Sequence, residues 1–151
     1  MLILDDFIVE SVIEKPSEDA FNFLNLSGRK LFYNQGYYGQ NVIVAVVDTG
    51  VNAEHPELKG KVLQGRNFCG YNRETWTDDD HRHGTHVAGT IAGEKCGIAP
   101  KVKILPVKVL DGGGYGKEKD IIEACKWLKD WKDEKGSRVD IVSMSLSTTK
   151  N

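Results

Sequence analysis

The sequence has little cysteine, little proline, no long apolar run and no excess of one charge. Its three cysteines, Cys69, Cys96 and Cys125, cannot all pair, and their spacing fits no zinc pattern. A disulfide framework is therefore not expected, and reduced thiols suit a cytosolic protein. The longest apolar run, Val42–Val47, has six residues, against the roughly 20 a membrane-spanning helix needs. Twenty basic residues face 22 acidic ones, for a net charge of −2. That balance leaves no electrostatic footprint for nucleic acid. Met1-Leu2-Ile3-Leu4 runs straight into Asp5-Asp6. A secretory leader would need a basic start and a longer apolar core, so a cytoplasmic location is expected. Hydrophobic content of 40% and charged content of 28% are ordinary for one soluble domain with a real core.

What is present is concentrated in two stretches. Val42–Val47 is β-branched and of strand length, and it runs into Asp48-Thr49-Gly50. The second is His83-Gly84-Thr85-His86-Val87-Ala88-Gly89-Thr90-Ile91-Ala92-Gly93. Gly84, Ala88, Gly89, Ala92 and Gly93 leave this helix almost bare, so it can pack closely and fix where His83 points. An imidazole, with its ordinary pKa near about 6.5, can take and return a proton at neutral pH. A carboxylate at the carboxyl end of a buried strand is well placed to orient it.

The other segments complete a βαβ pattern. Val62–Cys69 reads as a short strand, Lys101–Leu110 as a core strand, and Val139–Leu146 as the last strand. Lys117–Lys135 reads as an amphipathic helix closed by Gly136-Ser137, with Ile121, Cys125, Leu128 and Lys132 along one face. Alternating strands and helices imply an α/β fold, a parallel β-sheet with helices on both faces. Phe32, Tyr33, Tyr37 and Tyr38 are expected to pack into the core. Asp78-Asp79-Asp80-His81 before His83 raises a metal site, but His83 and His86 lack zincin spacing, so no metal is assigned. The glycines of Asp111–Gly116 lack the residues of a phosphate loop.

VAVVDTGVNAEHPEL (Val44–Leu58) and HGTHVAGTIAG (His83–Gly93) resemble the aspartate and histidine motifs of the subtilisin-like serine peptidases. VSMSLS (Val142–Ser147) resembles the family's groove-lining strand. The order, Asp then His, is the family's. The resemblance covers residues 31–151 and leaves 1–30 as an acidic N-terminal extension, a short propeptide-like arm. It implies a serine endopeptidase acting on peptide or protein substrates, with Asp48 orienting His83 and His83 as general base. It also implies that Asp79 lies near the substrate groove, with the backbone of Gly114, Tyr115 and Gly116 on one wall. Ser145, Leu146 and Ser147 would form the other, Ser147 standing where the family usually has Gly. The family's Gly-Thr-Ser-Met-Ala serine motif does not occur in the chain. The nucleophile is accordingly expected beyond Asn151, in a C-terminal remainder of the same catalytic domain. On that expectation the sheet is incomplete and the chain alone is inactive; the alternative is a truncated, non-catalytic peptide-binding remnant. No cofactor is required. Calcium occurs in the family, but the 92–99 loop is short and Glu57 replaces the usual aspartate ligand, so a tight calcium site is not expected.

Overall fold

The structure, a computed structural model, describes residues 2–3, 28–70 and 74–148. Its centre is strand β2 (Ile43–Asp48), in which every residue is buried. A six-residue stretch with no exposed face needs cover on both sides, and the chain supplies it. β3 (Arg66–Asn67), β4 (Lys103–Lys108), β2 and β5 (Ile141–Ser143) form one four-stranded sheet in the order β3-β4-β2-β5. All its pairings are parallel. Helix α2 (His83–Ala92) covers one face through Ala88 and Ala92, which pack on Val44, Val46 and Ile104. Helix α3 (Glu118–Asp130) covers the other through Ala124 and Leu128, which pack on Ile43, Ala45, Val47, Leu105 and Val107. Successive β2 residues thus point to opposite faces, as strand geometry requires. This is the expected α/β arrangement.

Three local expectations need correction. Helix α3 ends at Asp130, five residues short of Lys135, because Trp131 turns extended (φ −63°, ψ 138°). Asp133 then replaces helical bonds with a turn, its Oδ1 accepting the N–H of Lys135 (2.9 Å) and of Ser137 (2.7 Å). The buried stripe of α3 keeps Ile121 and Leu128 of the expected face but not Cys125, which is exposed; Trp127, and Trp131 just past the helix end, pack against the core instead. Two indoles outweigh one thiol in apolar area. Finally, helix α1 (Arg29–Tyr33) buries nothing. Phe32 and Tyr37 are both 60% exposed. The rings of Tyr33 and Tyr38 meet at a tilt of 50°, beneath Arg29 and Lys101 respectively. Hydrogen bonds from Tyr33 Oη to Ile98 O and from Arg29 to Gly97 O pin this cluster to the surface loop after α2.

The first residues and the last described ones meet. β1 (Leu2–Ile3) pairs antiparallel with β6 (Ser147–Thr148), apart from the main sheet. Of the 1–30 extension, residues 1 and 4–27 lie outside the described residues. Among the described residues β5 pairs with β2 alone, and Ile141, Val142 and Met144 are exposed. Among the described residues no helix is long and apolar enough to cross a membrane.

Candidate active site

β2, β4 and β5 are parallel, so the segments that follow them leave from one edge of the sheet. That edge carries Asp48 at the end of β2, the Asp111–Gly116 turn after β4, and Met144–Leu146 after β5. Ligand sites of open α/β sheets form at such an edge. The Asp48 side chain is 1% exposed and the His83 side chain 22%. His83 Nδ1 lies 2.8 Å from Asp48 Oδ1 and 3.0 Å from Oδ2. An ionised carboxylate only accepts, so Nδ1 is the donor. That fixes the tautomer: Nε2 is left as acceptor, with no hydrogen-bond partner among the described residues. The pair is therefore set up to take a proton at Nε2 while the buried carboxylate compensates the resulting imidazolium.

The approach of α2 to β2 depends on glycine. A Cβ on Gly84 would lie 2.1 Å from Gly50 O and 3.2 Å from both Cβ and Oδ1 of Asp48. The entry to the helix is also unusual. Arg82, its N-cap, has φ 75° and makes no side-chain cap. The capping is done by Asp79, three residues earlier, whose Oδ1 accepts the Arg82 N–H (2.8 Å) and whose Oδ2 accepts the Thr85 N–H (2.7 Å). Asp79 also accepts from both Thr49 Oγ1 (2.6 Å) and Thr85 Oγ1. The structure thus commits the Asp79 carboxylate to the chain's own donors.

Sequence reasoning missed Lys108. It is the register neighbour of Asp48 on β4 and is almost wholly buried. Its Nζ donates to Thr49 O and, at 3.0 Å, to Asp80 Oδ1. The available signal was a lone cation within the apolar run Ile104–Leu110, since a buried lysine needs partners. His81 packs edge-on to His83, ring centroids 6.2 Å apart, and its Nδ1 is buried without a partner among the described residues.

The other candidates flank this centre. Asp111 Oδ1 accepts the N–H of Gly113 (2.9 Å) and Tyr115 (3.0 Å), and Gly114 has φ 76°. Gly116 sits so close to Val109 that a Cβ would lie 2.5 Å from its carbonyl oxygen. Tyr115 and Ser145 are exposed, Leu146 packs against the α3-side core, and Ser147 belongs to β6.

Behind α2 lies a cleft of about 660 Å³, lined by His55, Glu57, His86 and Cys96 among others. Glu57 closes the short loop after the helix. Its Oε2 accepts the N–H of Lys95 (2.8 Å) and of Cys96 (3.4 Å), with the Cys96 thiol 3.5 Å away. A calcium ion needs converging oxygens; here the carboxylate meets hydrogen-bond donors, a set that does not fit the ion. Among the described residues, no group of three or more His, Cys, Asp or Glu side chains could hold a metal. Burial raises the Glu57 pKa, but the Lys95 and Cys96 amides and the thiol outweigh it, and the net shift is downward. Burial and the neighbouring Glu57 carboxylate push the Cys96 thiol up. A carboxylate with a folded pKa below its unfolded one stabilises the fold above the ordinary range and loses that contribution as pH falls through the folded pKa. Thermal melts from neutral to acid pH should therefore show an acid-side loss that Glu57→Gln diminishes. Identical pH profiles for both proteins would refute the closure.

Residues 39–151 match the model of the Subtilase family. The chain belongs to that family. It is 42% identical over 120 residues to the "Major intracellular serine protease" of Bacillus subtilis (strain 168), covering 74% of this chain and 36% of that protein. It is 39% identical over 109 residues to the "Subtilase-type proteinase psp3" of Schizosaccharomyces pombe, covering 72% of this chain and 24% of that one. Among solved structures, a cold adapted subtilisin-like serine proteinase superposes with a TM-score of 0.57 at 37% identity, covering 62% of this chain and 34% of that chain. The subtilase fold is thus present in part: the chain spans between a quarter and about a third of the relatives it matches.

Proposed function

We propose that residues 31–151 are the aspartate- and histidine-bearing part of a serine endopeptidase that cleaves peptide or protein substrates through an acyl-enzyme. The observation that carries the reading is the buried Asp48 holding His83 Nδ1 at 2.8 Å while Nε2 is left open. In this reading His83 takes the proton of a serine hydroxyl as the serine attacks the scissile carbonyl. It then returns that proton to the departing amine, and Asp48 holds the tautomer throughout. The serine and its oxyanion donor come from a C-terminal remainder of the same catalytic domain. Support for that partner is the absent serine motif and the exposed apolar flank of β5, which suits a further strand. The edge segments Gly114–Gly116 and Ser145–Ser147 take up the substrate backbone by strand addition.

The N-terminal extension is proposed to act as an arm through its Leu2–Ile3. Leu2–Ile3 pair with Ser147–Thr148, an edge where the resemblance places substrate backbone. No metal is required, since Glu57 closes its loop on amides. The cytoplasm is proposed as the working compartment, in keeping with the word "intracellular" in the Bacillus relative's name.

The test uses a serine-reactive fluorophosphonate probe. Translation of the DNA following codon 151 supplies the longer polypeptide. That product should label strongly, label faster when residues 1–27 are deleted, and keep its label in a calcium chelator. Residues 1–151 alone should not label. A stop codon with no downstream serine motif would favour the peptide-binding remnant. Stoichiometric label on Ser143, Ser145 or Ser147 of the short chain would overturn the mechanism.

A further inference from the structure

Asp79 stands between the two motifs without belonging to either. Its carboxylate has four donors, and they come from both sides of the site. Thr49, on the β2 side, donates its hydroxyl to Oδ1 at 2.6 Å. The Arg82 N–H donates to Oδ1, and the N–H and hydroxyl of Thr85 donate to Oδ2, all from the α2 side. The bonds continue outward without a mismatch of donor and acceptor. Thr49 Oγ1, having given its proton to Asp79, accepts the Gly84 N–H at 3.0 Å. The Thr49 N–H donates to Asp48 Oδ1 at 2.7 Å, the same oxygen that faces His83. Thr85 Oγ1 accepts the Asn52 N–H at 2.9 Å.

We propose that Asp79 is a positioning residue that sets the Asp48–His83 geometry by tying the end of β2 to the first turn of α2, rather than a group that binds substrate. The proposal rests on the reading of Asp48 and His83 as the acting pair. The physical argument has three parts. First, His83 is the first residue of a helix whose own N-cap makes no side-chain cap. The first-turn N–H groups of a helix need acceptors, and Asp79 supplies one to Thr85. Second, Arg82 holds φ 75°, a conformation that costs a non-glycine residue energy. The Asp79 bond to the Arg82 N–H holds that turn in place. Third, an orientation error at His83 is expensive, because a displacement of about 1 Å from productive geometry can cost about 10²-fold in rate. With every Asp79 donor supplied by the chain, no acceptor is left over for a substrate N–H in this arrangement.

The test reads geometry directly. In residues 1–151, the Nδ1 proton of His83 should give a strongly downfield NMR resonance, the signature of a short bond to a buried carboxylate. Asp79→Asn should abolish it or move it far upfield while amide signals of Ile104 and Leu105, deep in the sheet, keep their positions. Thr49→Val removes the donor to Asp79 from the β2 side, together with the acceptor of the Gly84 N–H, and leaves the Arg82 and Thr85 bonds intact. It should shift the resonance as well, and Thr49→Ser, which restores the hydroxyl, should bring it back. If Asp79→Asn fails to fold, the Thr49 pair decides. An unmoved resonance in Thr49→Val, or in a folded Asp79→Asn, overturns the proposal. The readout does not depend on peptidase activity. A failure of the endopeptidase reading in the probe experiment would leave the resonance shift intact, and the two failures are thereby told apart.

Discussion

In a serine-bearing polypeptide, His83→Ala should lower kcat by about 10⁶-fold with little loss of stability, and Asp48→Ala should lower it by about 10⁴-fold. In subtilisin, loss of the histidine costs about 2 × 10⁶ in turnover and loss of the aspartate about 3 × 10⁴. The geometry here gives the same ranking. In the proposed mechanism His83 Nε2 takes the serine proton, so its removal would end base catalysis outright. Asp48 acts through His83. Without it the imidazole remains but loses the 2.8 Å acceptor that fixes its tautomer and offsets its charge. Asp48→Asn should be about as damaging as Asp48→Ala, because an amide can present a donor to Nδ1 and drive the proton to Nε2. His83 is at the surface end of its helix and partly exposed, so its truncation should leave thermal melts nearly unchanged. Steady-state kinetics on a peptide substrate, with melts alongside, check both halves. A loss of less than tenfold for His83→Ala would remove the imidazole from the mechanism.

The sequence made some of this legible for a definite physical reason. β2 is buried on both faces, so its composition is uniformly apolar and its end is marked by the first charged residue, Asp48. α2 must approach the sheet closely, so it is written in Gly and Ala. Both signals are local, and the structure brings the two residues they mark, Asp48 and His83, within 2.8 Å of each other. The aromatic cluster shows where local reasoning stops. Phe32 and Tyr37 are as apolar as core residues, yet both are exposed, Phe32 on a helix that buries nothing and Tyr37 just after it. Helix α3 shows the same limit from another side. Its end is decided by Asp133, which bonds to amides two and four residues ahead, and by where two indoles find room. Lys108 showed only as a lone cation in an apolar run; its partners, like the Thr49–Asp79–Thr85 bonds, were out of reach. They join β2, β4 and the entry to α2, and no spacing within one element encodes contacts among three. The calcium expectation turned on a single replacement, Glu57. The structure adds the chemistry that spacing could not supply, a carboxylate set against amide donors.

Gly84→Ala and Gly89→Ala should move stability in opposite directions, although the two glycines share one helix. At Gly84 the added methyl would sit 2.1 Å from Gly50 O and 3.2 Å from Asp48 Oδ1. Neither neighbour can yield cheaply: one is backbone in the turn after β2, and the other is held by Thr49 and His83. Relief would require α2 to lift from the sheet, uncovering Ala88 and Ala92. Overpacking of this kind costs about 1–3 kcal/mol or more. At about 2–4 °C per kcal/mol for a chain of this size, a fall of roughly 5–10 °C in Tm is expected. The same displacement would carry His83 off Asp48, so any peptidase activity should fall further than stability alone explains. At Gly89 nothing described lies within 4 Å of the added methyl. There the intrinsic preference of a helix interior for Ala over Gly applies, about 0.5–1 kcal/mol, and Tm should rise by roughly 1–4 °C. Thermal melts of both variants provide the check. A stabilised Gly84→Ala would mean that α2 does not approach Asp48 as closely as the structure places it, and the geometry of the whole site would have to be redrawn.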